Sequence, residues 1–306
     1  MADITAAMVK DLREKTGVGM MDCKAALAAT NGDMDAAVDW LRAKGLAKAA
    51  KKSTRVAAEG LIGVAVEGLT GALVEVNSET DFVARNDKFQ AMVADIAKLA
   101  LKAGGDTEKL KVAHYPGSKH AVAEYVAEMV AAIGENMGVR RTASVSVTDG
   151  VIGSYMHNQI VPGLGKIGVI VALESTGKKD ELVQFGRELA MHIAAINPVA
   201  LDLAGVPKET IDREKAILAE KNAGKPEKVL EKIMESGLKS YAKENTLLEQ
   251  AYVKDGAKSV SQVLAEVAKA AGAPVKIAAY MRMQLGEGIE KKEDDFAAEV
   301  AKAAAV

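Results

Sequence analysis

Cysteine, aromatic side chains and net charge are all scarce in this chain, and each scarcity narrows what it can be. A single cysteine, Cys23, leaves no internal disulfide framework and points to a reducing compartment. Aromatic residues make up 4% of the 306 residues, against 49% hydrophobic residues overall. With Ala and Met plentiful, that balance favours helices packed by small and flexible side chains. The formal net charge is −2, so there is no global basic field and nucleic acid is not an expected partner. No apolar run approaches the roughly 18 residues that would span a membrane. Met1-Ala2-Asp3-Ile4-Thr5 lacks the basic start and apolar core of a leader. The expectation is a soluble, cytoplasmic protein with two or more domains.

Motifs for bond chemistry are also lacking. Gly163-Leu164-Gly165-Lys166-Ile167-Gly168 matches G-x-G-x-x-G by letter. Such a motif holds a dinucleotide phosphate only where it leaves a strand and opens a helix. Here Val169-Ile170-Val171-Ala172-Leu173 follows, which reads as a strand, so a glycine-rich hairpin turn is expected. There is no P-loop and no nucleophile elbow. The four histidines, His114, His120, His157 and His192, form no metal-ligand spacing. Cys23 lies on an apolar helical pattern and reads as a structural thiol. No cofactor, no metal, no direct nucleotide binding and no enzymatic bond chemistry are expected.

What is present is a succession of modules. Residues 1–46 read as three helices over 5–15, 20–30 and 34–44. Asn31-Gly32-Asp33 supplies a turn and N-cap, and Gly45 a C-cap. Residues 47–59, with Lys48, Lys51, Lys52 and Arg55, read as a basic linker. From Gly60 the period changes to that of a β-hairpin. A β-β-α-α-β unit over 60–149 then recurs over 150–196 and 259–288. Gly150-Val151-Ile152-Gly153 echoes Gly60-Leu61-Ile62-Gly63. Inserted into the second copy, residues 197–258 contain two charged amphipathic helices across a Gly/Pro turn, an antiparallel hairpin expected to project. Residues 289–306 read as a C-terminal helix. The fold class is therefore α+β and multidomain: a helical trio, then a duplicated core of small antiparallel sheets with helices.

One junction stands out. A strand over 72–76 runs through Asn77-Ser78-Glu79 into Thr80-Asp81-Phe82-Val83-Ala84-Arg85-Asn86, with a helix expected over about 81–102. On the residues alone, Phe82 is expected to pack in the core and Asp81 to cap that helix. The second copy has Ser175-Thr176-Gly177-Lys178-Lys179-Asp180 at the matching place, without an Asp-Phe pair.

Three separated motifs resemble the bacterial elongation factor Ts family. They are Leu12-Arg13-Glu14-Lys15-Thr16-Gly17-Val18-Gly19-Met20-Met21-Asp22-Cys23-Lys24, the Thr80 to Asn86 heptapeptide, and Gly286-Glu287-Gly288-Ile289-Glu290 with Asp295-Phe296. The resemblance covers the chain from Met1 to about Val300. It implies a ubiquitin-associated-like N-terminal domain and a guanine-nucleotide exchange factor for the GTPase elongation factor Tu. It further implies that Thr80, Asp81, Phe82 and Val83 enter the GTPase beside its Mg²⁺ site. Met20, Met21 and Lys24 on the second helix, and His157 in the second core copy, are implied as secondary contacts. For the two methionines, core packing stays open. A helical adaptor that uses the N-terminal trio is the alternative function.

Overall fold

The computed structural model describes residues 4–290. The helix expected over 289–306, with Asp295 and Phe296, lies outside the described residues. The N-terminal unit comprises α1 (Ala6–Thr16), α2 (Met20–Ala29) and α3 (Met34–Lys52). Thr5 caps α1 by accepting the Met8 N–H at 3.3 Å, and Asp33 caps α3 by accepting the Ala36 N–H at 2.9 Å. Val9, Leu12, Cys23, Ala26, Leu27, Ala37 and Leu41 close a small core between the three.

The first core copy is β1 (Glu59–Glu67), β2 (Thr70–Ser78), α4 (Asp87–Ala103), α5 (Thr107–Val112), α6 (Val122–Ile133) and β3 (Met137–Ser146). The second is β4 (Gly150–His157), β5 (Leu164–Gly165), β6 (Ile167–Glu174) and α7 (Lys179–Ile196), resuming after the insert with α10 (Val260–Ala271) and β9 (Lys276–Gln284). The insert holds α8 (Lys208–Lys221), α9 (Glu227–Asn245) and a ribbon of β7 (Ala251–Tyr252) and β8 (Asp255–Ser259). No residue of α8 is buried and only Ala242 of α9 is. The hairpin holds itself together instead, with Gly237 letting the Leu218 side chain approach its backbone.

Gly45 does not end α3, which runs on to Lys52. The segment expected as a linker over 47–59 is therefore helical in its first part, and only residues 53–58 connect α3 to β1. The cause is tertiary. A Cβ on Gly45 would lie 2.9 Å from the Ala131 Cβ of α6, so this glycine admits the neighbouring helix. Arg42 pairs with Glu124 of α6 at 3.2 Å, and the Lys52 ammonium donates to the Gly134 carbonyl at the end of α6.

Both sheets are antiparallel and share one order, β3-β2-β1-β5 and β9-β6-β4. They stack face to face through Ile62, Leu73, Val145, Met156, Ile170, Ala172 and Met283. Helices α4 and α6 cover the outer face of one sheet, and α7 and α10 that of the other. The repeated glycines have a backbone reason. Gly60 and Gly150 sit at φ 120° and 134°, where a Cβ would come within 2.2 Å of the Val76 carbonyl oxygen and 1.9 Å of that of Leu173. Only glycine fits that approach.

The G-x-G-x-x-G string is a packing device. It leads into β6 rather than a helix. A Cβ on Gly168 would meet Ile62 at 2.7 Å and Leu73 at 2.9 Å across the sheet interface. Gly165 pairs with Ile62, so β5 carries the β4–β6 connection across to the other sheet. No described helix is long and apolar enough to cross a membrane.

Candidate partner-binding site

The junction between β2 and α4 is a loop, not a helix start. Asn86 caps α4, its Oδ1 accepting the Lys88 N–H at 3.0 Å and the Phe89 N–H at 3.2 Å. The expected cap at Thr80-Asp81-Phe82 is thus displaced by several residues. Val83 and Ala84 explain why: both are buried in the core, inside a single 3-10 turn, Val83–Arg85. The chain must dip inward there before the helix can begin.

That dip pushes the preceding pair outward. Phe82 is 75% exposed, so it is not the core residue that its hydrophobicity suggests, and Asp81 is exposed beside it. Both ends of the pair are held. Upstream, Thr80 donates its backbone N–H and its Oγ1 hydroxyl to the Glu135 carboxylate, at 2.9 Å and 2.7 Å. The Ser78 hydroxyl donates to the Thr80 carbonyl at 3.0 Å. Downstream, the Arg85 N–H donates to the Phe82 carbonyl at 3.1 Å, and Gln90 Nε2 donates to the Ala84 carbonyl at 2.9 Å. An exposed aromatic on an ordered loop is suited to insertion into a partner's apolar pocket.

The remaining expected residues lie on other elements. On α2, Met20 and Met21 are 44% and 78% exposed and Lys24 is exposed, whereas Cys23, Ala26 and Leu27 face the trio's core. The methionines are therefore surface groups. Burial raises the Cys23 thiol, with the Thr16 hydroxyl opposing, as a structural thiol requires. His157 ends β4 in the second copy, exposed, with Nδ1 3.4 Å from the Tyr155 hydroxyl. Thr80, Asp81 and Phe82 thus lie together on the outer side of one loop, whereas Val83 of the same motif is buried in the core, and α2 and His157 lie on separate surfaces. Among the described residues no group of three or more His, Cys, Asp or Glu is placed to hold a metal ion.

Sequence reasoning missed two carboxylates. Glu75 is fully buried on β2. It accepts from Arg140 at 3.0 Å, Arg141 at 2.6 Å, Asn77 at 3.1 Å and the Gly286 N–H at 2.8 Å. Burial alone would raise its pKa. The Gly286 N–H, Arg141 and Asn77 outweigh that and hold it below the usual carboxylate range. Its signal was a lone charge within Leu73-Val74-Glu75-Val76. The second is Glu135, just past the α6 C-cap Gly134, where nothing in the local pattern marks it.

The chain matches the profile of the family described as Elongation factor TS over residues 79–287. It is 63% identical over 304 residues to a protein named Elongation factor Ts from Methylobacterium sp. (strain 4-46), covering 99% of both chains. It is likewise 60% identical to the protein of that name from Xanthobacter autotrophicus and 59% to that from Bradyrhizobium sp. (strain ORS 278), again over 99% of both chains.

Proposed function

Because the chain belongs to the elongation factor Ts family and is thereby a translation elongation factor, we propose that it binds elongation factor Tu–GDP. It promotes GDP release by disturbing the GTPase's Mg²⁺ and phosphate site, so that GTP can rebind. The observation that carries this reading is Phe82, 75% exposed on a loop hydrogen-bonded at both ends. A GTPase holds GDP through phosphate contacts and a bridging metal. An exchange factor must therefore bind the nucleotide-free state more tightly than the GDP state, since equal affinity shifts nothing. Phe82 acts as a wedge whose pocket exists only in the released state. Asp81 brings a negative charge beside the metal, Thr80 and Val83 fix the approach, and the ordered loop loses little entropy on docking.

The protein performs no bond chemistry of its own in this reading, and it works in the cytoplasm. Met20, Met21 and Lys24 on α2, and His157 on β4, make secondary contacts on other faces of the GTPase. A free-standing adaptor role for the trio fits less well, because α3 packs on α6 and pairs with it through Arg42.

Stopped-flow release of fluorescent GDP from elongation factor Tu tests the wedge. Phe82→Ala is expected to slow release about thirtyfold, an interface anchor of about 2 kcal/mol. Its unfolding free energy should stay within about 0.5 kcal/mol of the parent, as for an exposed position. Release at the parent's rate would remove Phe82 from the mechanism.

A further inference from the structure

We infer that Glu135 is the positioning residue of this loop: it holds Thr80 so that Phe82 is presented to the partner in one orientation. The inference deepens the exchange reading and rests on it. Each carboxylate oxygen of Glu135 has its own donor on Thr80, the backbone N–H on Oε2 and the hydroxyl on Oε1. Gripping main chain and side chain together fixes the direction in which the chain enters Asp81. Such bonds to an ionised acceptor are about twice as strong as neutral ones. The grip is also returned, since Glu79 of the loop accepts the Asn136 N–H at 2.5 Å and faces Arg55 at 3.5 Å. Loop and α6–β3 link therefore trade carboxylates. Glu135 itself directly follows Gly134, the left-handed C-cap of α6 at φ 94°, whose N–H donates to the Val130 carbonyl.

The duplicated scaffold provides an internal control. Val139 pairs with Val76 as Ile277 pairs with Leu173, just past matching bulges. Counting back aligns Gly134 with Gly272, both left-handed helix caps. Glu135 then aligns with Ala273, and Asn136 with Pro274. In the second copy the link to α7 is held by the Lys178 N–H, which donates to the Ala271 carbonyl at 2.9 Å, and by the Ser175 hydroxyl, which accepts the Gly177 N–H at 3.0 Å. That copy presents no aromatic. The scaffold closes this corner without a carboxylate, so the carboxylate accompanies the loop that has something to present. Without it, Thr80, Asp81 and Phe82 sample several orientations, and docking weakens in proportion to the competent fraction.

The test measures fluorescent-GDP release from elongation factor Tu with the full-length chain carrying Glu135→Ala, Glu135→Gln, Phe82→Ala, and Glu135→Ala with Phe82→Ala. Glu135→Ala is expected to slow release about tenfold. Glu135→Gln, which keeps one acceptor oxygen, should recover part of that loss. In the Phe82→Ala background, Glu135→Ala should cost less than about twofold, because coupled residues are non-additive. Should Glu135→Ala fail to fold, Thr80→Val removes only the hydroxyl donor and should slow release about threefold, again only when Phe82 is present. Parent-like release by the Glu135→Ala chain, or an equal cost with and without Phe82, overturns the inference while leaving the wedge in place. Parent-like release by Phe82→Ala overturns the wedge and this inference together.

Discussion

The two halves of the core share a strand order, a pair of covering helices and a bulge at the same place, yet they part at the corner after the second strand. Residues 79–86 link β2 to α4, whereas residues 175–178 link β6 to α7. The longer link dips to bury Val83 and Ala84 and displays Asp81 and Phe82. The shorter one closes directly, with Gly177 so near Ala271 that a Cβ would sit 2.8 Å from its side chain. Charge follows the same division. Glu75, Arg140 and Arg141 of the first copy align with Ala172, Ala278 and Ala279 of the second. What both copies have is what sheet and helix packing demand. What only the first copy has is a loop and the polar groups that hold its surroundings.

Substitutions that treat the copies alike should show how far that equivalence extends. The largest expected difference is at matched glycines. A Cβ on Gly153 would sit 2.3 Å from the Gly186 backbone of α7, but one on Gly63 would sit 3.1 Å from the Ala97 side chain of α4. Gly153→Ala should cost about 3 kcal/mol and Gly63→Ala about 1 kcal/mol, read from urea unfolding. Equal costs would mean that the helices sit at the same distance in both copies. Next, Glu75→Gln should cost about 2 kcal/mol in the same assay, because Arg140 and Arg141 lose their buried anion while keeping some access to water. No loss would mean that the first copy needs this charge no more than the second does.

The smallest effect concerns His192 on α7, fully buried. The Val253 N–H donates to its Nδ1 at 3.2 Å, and its Nε2 lies 3.0 Å from Gln250 Oε1, an arrangement that suits the neutral ring. Burial lowers its pKa, with the Gln250 contact opposing. The unfolded chain therefore binds the proton more readily. This contribution is fully present above about pH 6.5 and is lost as pH falls from there through the folded-state pKa. Between pH 7.5 and 5.5 the urea midpoint should drop, and His192→Gln should flatten that slope. An unchanged slope would assign the acid sensitivity elsewhere.

Much of this was legible in the residues. The antiparallel hairpin after Gly60, its echo after Gly150 and the polar helical pair in the insert follow from period and turn chemistry, which are local. The Thr80 to Asn86 heptapeptide was visible as a motif, and the family it resembles is the one to which the chain belongs. Gly45 misled, because a glycine after a helical stretch signals a cap, whereas here it admits a neighbouring helix. Asn86 was passed over as the cap of α4, because Thr80 and Asp81 offered the same chemistry earlier. Glu135 could not be found at all: its partner Thr80 lies 55 residues away.

By itself, then, the sequence determined the modules, their duplication and the identity of the residues at the exposed corner. Periodicity, capping and turn preferences act over a few residues and need no partner. Only the tertiary structure decided that the two sheets stack, that α3 continues along α6, and that Phe82 points to solvent instead of the core. Each of those outcomes depends on which distant surface competes for the same side chain, and burial of Val83 and Ala84 settles that contest by turning Phe82 outward.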